Sequence, residues 1–95
     1  MTQDQELEAA ADLFKALANP VRLGILNALI PGPRCVHELA DATGASQPLV
    51  SQHLRHLRQV RLVTSARRGR ETEYRLADEH VGHVLTDAIN HVKES

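Results

Sequence analysis

Of the 95 residues, one is cysteine, one phenylalanine, one tyrosine and none tryptophan. The lone Cys35 excludes an intrachain disulfide, a four-thiolate zinc knuckle and a thiolate cluster for a soft metal such as arsenite. It also points to a reducing compartment. With Phe14 and Tyr74 as the only aromatic rings, the chain has too little stacking surface for the base platforms of single-strand and RNA binders. No apolar run approaches the roughly 20 residues that cross a bilayer. Met1 to Asp12 is acidic and polar, where a secretory signal is basic and then apolar. A cytoplasmic protein with no membrane partner is expected. There is no Gly-rich phosphate loop, and no serine, cysteine and histidine arrangement reads as a nucleophile with its base, so an enzyme is not expected.

What is present is ordinary globular composition, 42% hydrophobic and 24% charged. It suits one small domain over residues 1–95, short enough that a second subunit is a natural source of additional core. The net charge of −1 hides a strong polarity along the chain. Residues 46–75 carry seven arginines (Arg55, Arg58, Arg61, Arg67, Arg68, Arg70, Arg75) against Glu71 and Glu73, a balance of +5, which leaves −6 for the rest. A basic block on an acidic domain is the footprint of a phosphate-binding surface. With so few aromatics, duplex DNA is favoured over RNA.

The spacing predicts a first helix over Gln3 to Leu17, with Leu7, Ala10, Ala11, Phe14 and Leu17 on one side. A second starts at Asn19-Pro20, a cap followed by a proline, and ends at Pro31-Gly32-Pro33. A short helix over Val36 to Thr43, Gly44, and a longer helix from Ser46-Gln47-Pro48 to about Val60 form a helix-turn-helix. Two strands, Arg61 to Ala66 and Thr72 to Leu76, flank the polar tip Arg67-Arg68-Gly69-Arg70, and a last helix runs from Asp78 to about Lys93. The fold expected is mainly α with a small β-hairpin: a winged helix-turn-helix. Its first and last helices carry apolar faces that the small core does not fully use, so a homodimer through those helices is expected.

In a helix-turn-helix the N-terminal residues of the second helix reach base edges. Here these are Ser46, Gln47, Ser51 and Gln52, with Arg55 and Arg58 farther along and better placed for phosphates. Arg67, Arg68 and Arg70 on the wing suit a minor groove or its flanking phosphates. The plainer alternative is that Ser46 only caps a helix and the arginines only solubilise a surface.

Asp78, His80, His91 and Glu94 are all good zinc ligands. His91 and Glu94 lie three apart on one helix face and can share an ion. His80 and His91 are eleven apart, or about 16 Å along a helix, whereas each ligand of a zinc ion lies about 2 Å from it. One chain cannot supply both pairs to one ion, but two antiparallel copies can. That gives a two-fold dimer with two bridging sites and no open position for a catalytic water. Asp78 and His80 converge only if Asp78 lies just before the helix, and the alternative is a capped, solvated helix with no metal. His83 lacks a partner at a matching offset, and His37, His53 and His56 read as surface or packing residues.

Leu17-Ala18-Asn19-Pro20-Val21-Arg22, Cys35-Val36-His37-Glu38-Leu39, Ser46 to Leu54, and Asp78-x-His80 with His91-x-x-Glu94 resemble the ArsR/SmtB metal-sensing repressors over nearly the whole chain. The resemblance implies an apo dimer on an inverted-repeat, double-stranded operator. It further implies that Zn2+, two ions per dimer at intersubunit sites of Asp78, His80, His91 and Glu94, releases the DNA and derepresses efflux or sequestration genes. It also implies a relay in which His91 donates its second N–H to the backbone carbonyl of Arg61. Nitrogen and oxygen ligands leave Co2+ or Ni2+ open in place of zinc. A vestigial metal site and a zinc-stapled dimerisation module that binds no DNA stay open as well. Where other members carry Cys-x-Cys, His37 replaces the second thiol, and Met1 to Ala10 holds no Cys or His. Cys35 and Glu38 are therefore expected to be structural, with Cys35 a small buried hydrophobe, and binding by Cys35 or His37 is a minor alternative.

Overall fold

The helices begin where the sequence supplies a cap. Thr2 and Gln5 form a reciprocal capping box ahead of α1 (Gln3–Leu17), and Asn19 accepts from the N–H groups of Val21 and Arg22 at the start of α2 (Pro20–Leu29). Ser46 does the same for α4 (Gln47–Gln59) and Asp78 for α5 (Glu79–Lys93). Between them, α3 (Val36–Thr43) stops at Gly44, whose φ of 75° is the left-handed conformation that glycine adopts without strain. The computed structural model describes residues 1–95, all five expected helices among them.

The sheet has one strand more than the sequence predicts. β1 (Arg34–Cys35) pairs antiparallel with β3 (Glu71–Leu76), which also pairs with β2 (Val63–Arg68), giving the order β1-β3-β2. A two-residue strand carries no periodicity, so nothing in the sequence announces β1. The hairpin also sits later than expected. β2 starts at Val63 and runs through Arg68, leaving only Gly69 and Arg70 in the turn, with Arg68 opposite Glu71. Gly69 at the first turn position has φ 61°, as a type II′ hairpin requires.

Arg61, expected in the strand, instead ends α4. Its N–H donates to the Arg58 carbonyl and that of Leu62 to the Leu57 carbonyl, with Arg61 at φ 62° between them. This is a Schellman motif with arginine in the place glycine usually holds, and the buried side chains of Leu57 and Leu62 supply the apolar contact that accompanies it. The motif sets the angle at which the chain leaves α4 for the wing.

The core lies between α2, α3, α4 and the base of the hairpin. Ile25, Leu26, Leu29, Leu39, Val50, Leu54, Leu57 and Leu62 are all 2% exposed or less. α1 and α5 contribute little to it: α5 buries only Leu85, while Phe14 is 59% and Val92 71% exposed. The apolar stripes of α1 and α5 thus remain mostly open, as expected of faces that the small core does not fully use. No helix is long and apolar enough to cross a membrane.

Candidate nucleic-acid interface and candidate metal centre

The burial pattern of α4 divides it into two faces. Val50, Leu54 and Leu57 seat the helix on the core, which turns Gln47, Ser51, Gln52, Arg55, Arg58 and Gln59 outward. Ser46 spends its hydroxyl on the cap, accepting from the Leu49 N–H at 3.3 Å. Ser51, Arg55, Arg58 and Gln59 join Tyr74 of β3 around an open, polar depression of about 470 Å³. Gln59 and Tyr74 are additions to the residues expected from sequence. Tyr74 is brought to α4 by sheet register, which local spacing does not reveal.

Period-two alternation separates the three wing arginines. Arg67 lies opposite Thr72 and shares a sheet face with Tyr74, the face toward the exposed side of α4. Its Nε donates to the Gly69 carbonyl at 3.2 Å. Arg68 points to the other face and pairs with Glu73 at 3.0 Å. Arg70, in the turn, makes no side-chain hydrogen bond or ion pair. Arg67 and Arg70 are thus on or beside the α4 side of the wing, and Arg68 is tied to an intramolecular partner.

On that second face, the Cys35 thiol donates to Glu71 Oε2 at 3.2 Å, and His37 Nδ1 lies 3.3 Å from Glu71 Oε1. Cys35 N–H donates to Glu38 Oε1 at 2.9 Å, and this bond holds the Glu38 carboxyl below its ordinary value. The hydrogen bond to the Glu71 carboxylate, with burial and neighbouring negative charge, pushes the Cys35 thiol up to about 11. Cys35 is buried, as expected, but it is also a hydrogen-bonded junction between α3 and the wing. His53, half-buried on α4, has its pKa lowered by burial and then by the nearby Arg22 and His56.

Asp78 is the N-cap of α5 and so precedes the helix, the condition for it to converge with His80. Its Oδ1 accepts from the Val81 N–H at 3.1 Å. Asp78 and His80 line a cavity of about 150 Å³ together with Arg61, Leu62 and Leu13. His91 and Glu94 lie at the far end of the helix, exposed, about 16 Å away at the rise of an α-helix. Within one chain no group of three or more His, Cys, Asp or Glu side chains comes together to hold a metal. Arg61 therefore neighbours Asp78 and His80, not the His91 of its own chain. The Arg61 carbonyl accepts no hydrogen bond within the chain. Between the two ends, Phe14, Leu23, Val84, Ala88, Ile89 and Val92 line an exposed apolar groove of about 400 Å³.

Residues 19–65 match the family model described as "Bacterial regulatory protein, arsR family". The chain is 52% identical over 88 residues to a protein of Mycobacterium tuberculosis named HTH-type transcriptional repressor SmtB. That match covers 93% of this chain and 65% of the relative, so the chain spans just under two thirds of that relative's length. A Synechocystis protein named transcriptional repressor SmtB homolog is 42% identical over all 95 residues, which cover 71% of it. Among solved structures, a Mycobacterium bovis fragment described as a homodimeric winged helix-turn-helix DNA-binding domain superposes with TM-score 0.87 at 33% identity. The match covers 99% of this chain and 89% of that one.

Proposed function

The chain belongs to the ArsR family of bacterial regulatory proteins, and we propose that it is a zinc-responsive transcriptional repressor whose dimer leaves its operator when metal binds. In this reading residues 1–95 are one DNA-binding domain. The observation that carries the reading is the split ligand set of α5, with two ligands at each end and an exposed apolar groove between.

The groove is lined almost wholly by apolar side chains, and a second copy packed with its α5 antiparallel covers it. The same packing sets His91 and Glu94 of one copy beside Asp78 and His80 of the other, twice per dimer. Two imidazoles and two carboxylates suit a four-coordinate divalent ion of the zinc type, and the free Oδ2 of Asp78 allows ligation without loss of the helix cap. Cobalt and nickel fit the same donors less selectively. A divalent ion held by Asp78 and His80 of one copy and His91 and Glu94 of the other would tie the two subunits together in one geometry. In that dimer His91 of one copy stands near Arg61 of the other, so the relay from imidazole N–H to the Arg61 carbonyl crosses the subunit boundary. Arg61 begins the joint between α4 and the wing, which gives metal a route to the DNA-binding elements.

On the DNA side, Gln47, Ser51 and Gln52 read bases from α4, with Ser46 fixing its first turn, while Arg55 and Arg58 hold phosphates and Arg67 and Arg70 extend the contact through the wing. Arg68 contributes only if its pair with Glu73 opens. The test is a zinc titration of operator-bound protein with occupancy measured separately. His91→Asp, which keeps a ligand oxygen but has no N–H to donate, is expected to bind zinc and stay on DNA. Release at full occupancy, equal to that of the unmodified protein, overturns the relay. Absence of salt-dependent binding to duplex DNA in a gel-shift assay overturns the repressor reading itself and favours a metal-stapled dimerisation module.

A further inference from the structure

The face of the wing turned away from α4 carries a cluster that the proposed DNA and metal contacts do not use. β1 and β3 pair at only two positions, Arg34 with Tyr74 and Cys35 with Glu73. Continued in register, the ladder would set His37 opposite Glu71. The chain turns into α3 at Val36 instead, and the backbone pairing stops. Side chains carry the attachment one step farther. Glu71 accepts a hydrogen bond from the Cys35 thiol on one carboxylate oxygen at 3.2 Å and faces His37 Nδ1 with the other at 3.3 Å. The bond from the Cys35 N–H to Glu38 fixes the α3 end of this junction. Beyond Glu71, no hydrogen bond or ion pair links residues 66–70 to anything outside the hairpin.

We propose that Glu71 is the anchor of the wing, a positioning residue whose two carboxylate oxygens fasten the hairpin to Cys35 and His37 and so hold Arg67 and Arg70 in place for DNA. The inference rests on the reading of the wing as a DNA contact. A hairpin fixed before binding loses less freedom on the duplex than one that swings about its base, so anchoring raises affinity without touching DNA. The prediction runs against simple electrostatics. Glu71 is an acid in the basic block, and its removal by charge alone should tighten DNA binding.

Two variants remove the same charge, and only one of them keeps groups that can hydrogen-bond to Cys35 and His37. Glu71→Ala deletes the anchor and is expected to weaken operator binding about fivefold near 0.1 M salt, despite the lost negative charge. Glu71→Gln keeps an oxygen to accept from Cys35 and an amide N–H to donate to neutral His37, and is expected to bind at least as tightly as the unmodified protein. In an Arg67→Ala/Arg70→Ala background, Glu71→Ala should cost nothing further, because the side chains it positions are gone. Amide relaxation of residues 66–70 in the free protein should show greater mobility for Glu71→Ala alone. Equal tightening by both Glu71 variants overturns the anchor. If Arg67→Ala/Arg70→Ala binds DNA as well as the unmodified protein while Glu71→Ala frees the wing, the proposal falls with the wing's DNA role and not with the anchor geometry.

Discussion

The α4 face and the α5 face meet the problem of assembling a site in different ways. On α4 a single chain does everything: core leucines orient the helix, a cap fixes its start, a Schellman turn aims the wing, and Ser51, Arg55, Arg58, Gln59 and Tyr74 already share one depression. On α5 a single chain places two of the proposed ligands at each end of a rigid rod and leaves the apolar surface between them open. One is complete at the level of the fold and the other only at the level of a pair. The proposed metal response needs that difference, since a site that closes only in one dimer geometry can report on that geometry.

The largest effect that separates the two faces is expected at the base of α4. Leu54 is 0% exposed, and Leu54→Ala should lower unfolding free energy by about 2–5 kcal/mol, with loss of helix orientation and DNA binding together. Urea unfolding at fixed protein concentration measures it, and a cost near zero would show that α4 is not seated by the core. At the α5 face, serine can separate the N-cap role of Asp78 from the metal-ligand role proposed for it. Asp78→Ser retains an N-cap of nearly equal strength, so apo stability should change by only a few tenths of a kcal/mol. Zinc affinity should fall on the order of 100-fold or more, since loss of even an outer partner of a ligand costs about 10–100-fold. Calorimetric titration beside thermal unfolding of the apo protein checks both, and unchanged zinc affinity removes Asp78 from the site.

A smaller effect tests whether the open groove is an interface. Val92→Asp, at a residue 71% exposed in the protomer, should weaken dimerisation about tenfold and leave the protomer folded. Sedimentation velocity across a dilution series is the measurement, and an unchanged dimer would place the interface elsewhere. At the joint between the faces, Arg61→Gly should stabilise the protein by about 0.5–1 kcal/mol, because glycine holds φ 62° without strain. Arg61→Ala retains the carbonyl but also the strain, so glycine is the cleaner probe of a relay through the backbone.

The smallest expected effect concerns Cys35. Its thiol is raised from 9.0 to about 11 in the folded protein, so folding favours the protonated form. The stabilisation is complete below pH 9 and is lost as pH rises from there through about 11. The unfolding midpoint should therefore fall over that range, and the fall should shrink in Cys35→Ala.

The extents of the five helices, the caps at Asn19, Ser46 and Asp78, the helix-turn-helix and the split spacing of Asp78, His80, His91 and Glu94 were legible in the sequence, whereas the Thr2 and Gln5 capping box of α1 went unread. Each depends on residues within a few turns of one another, where helical periodicity and capping chemistry act directly. The third strand, the left-handed Arg61, the arrival of Tyr74 beside α4, the opposite facing of Arg67 and Arg68, and the Glu71 junction were decided by tertiary structure. Apart from the Arg61 turn, which the burial of Leu57 and Leu62 fixes, these depend on the register between segments as distant in sequence as Arg34 and Tyr74. Register follows from how the core closes, because a shift of one residue would turn each strand's side chains to the other face. Local sequence sets what each segment can be; packing against α2 and α4 decides which side chains meet.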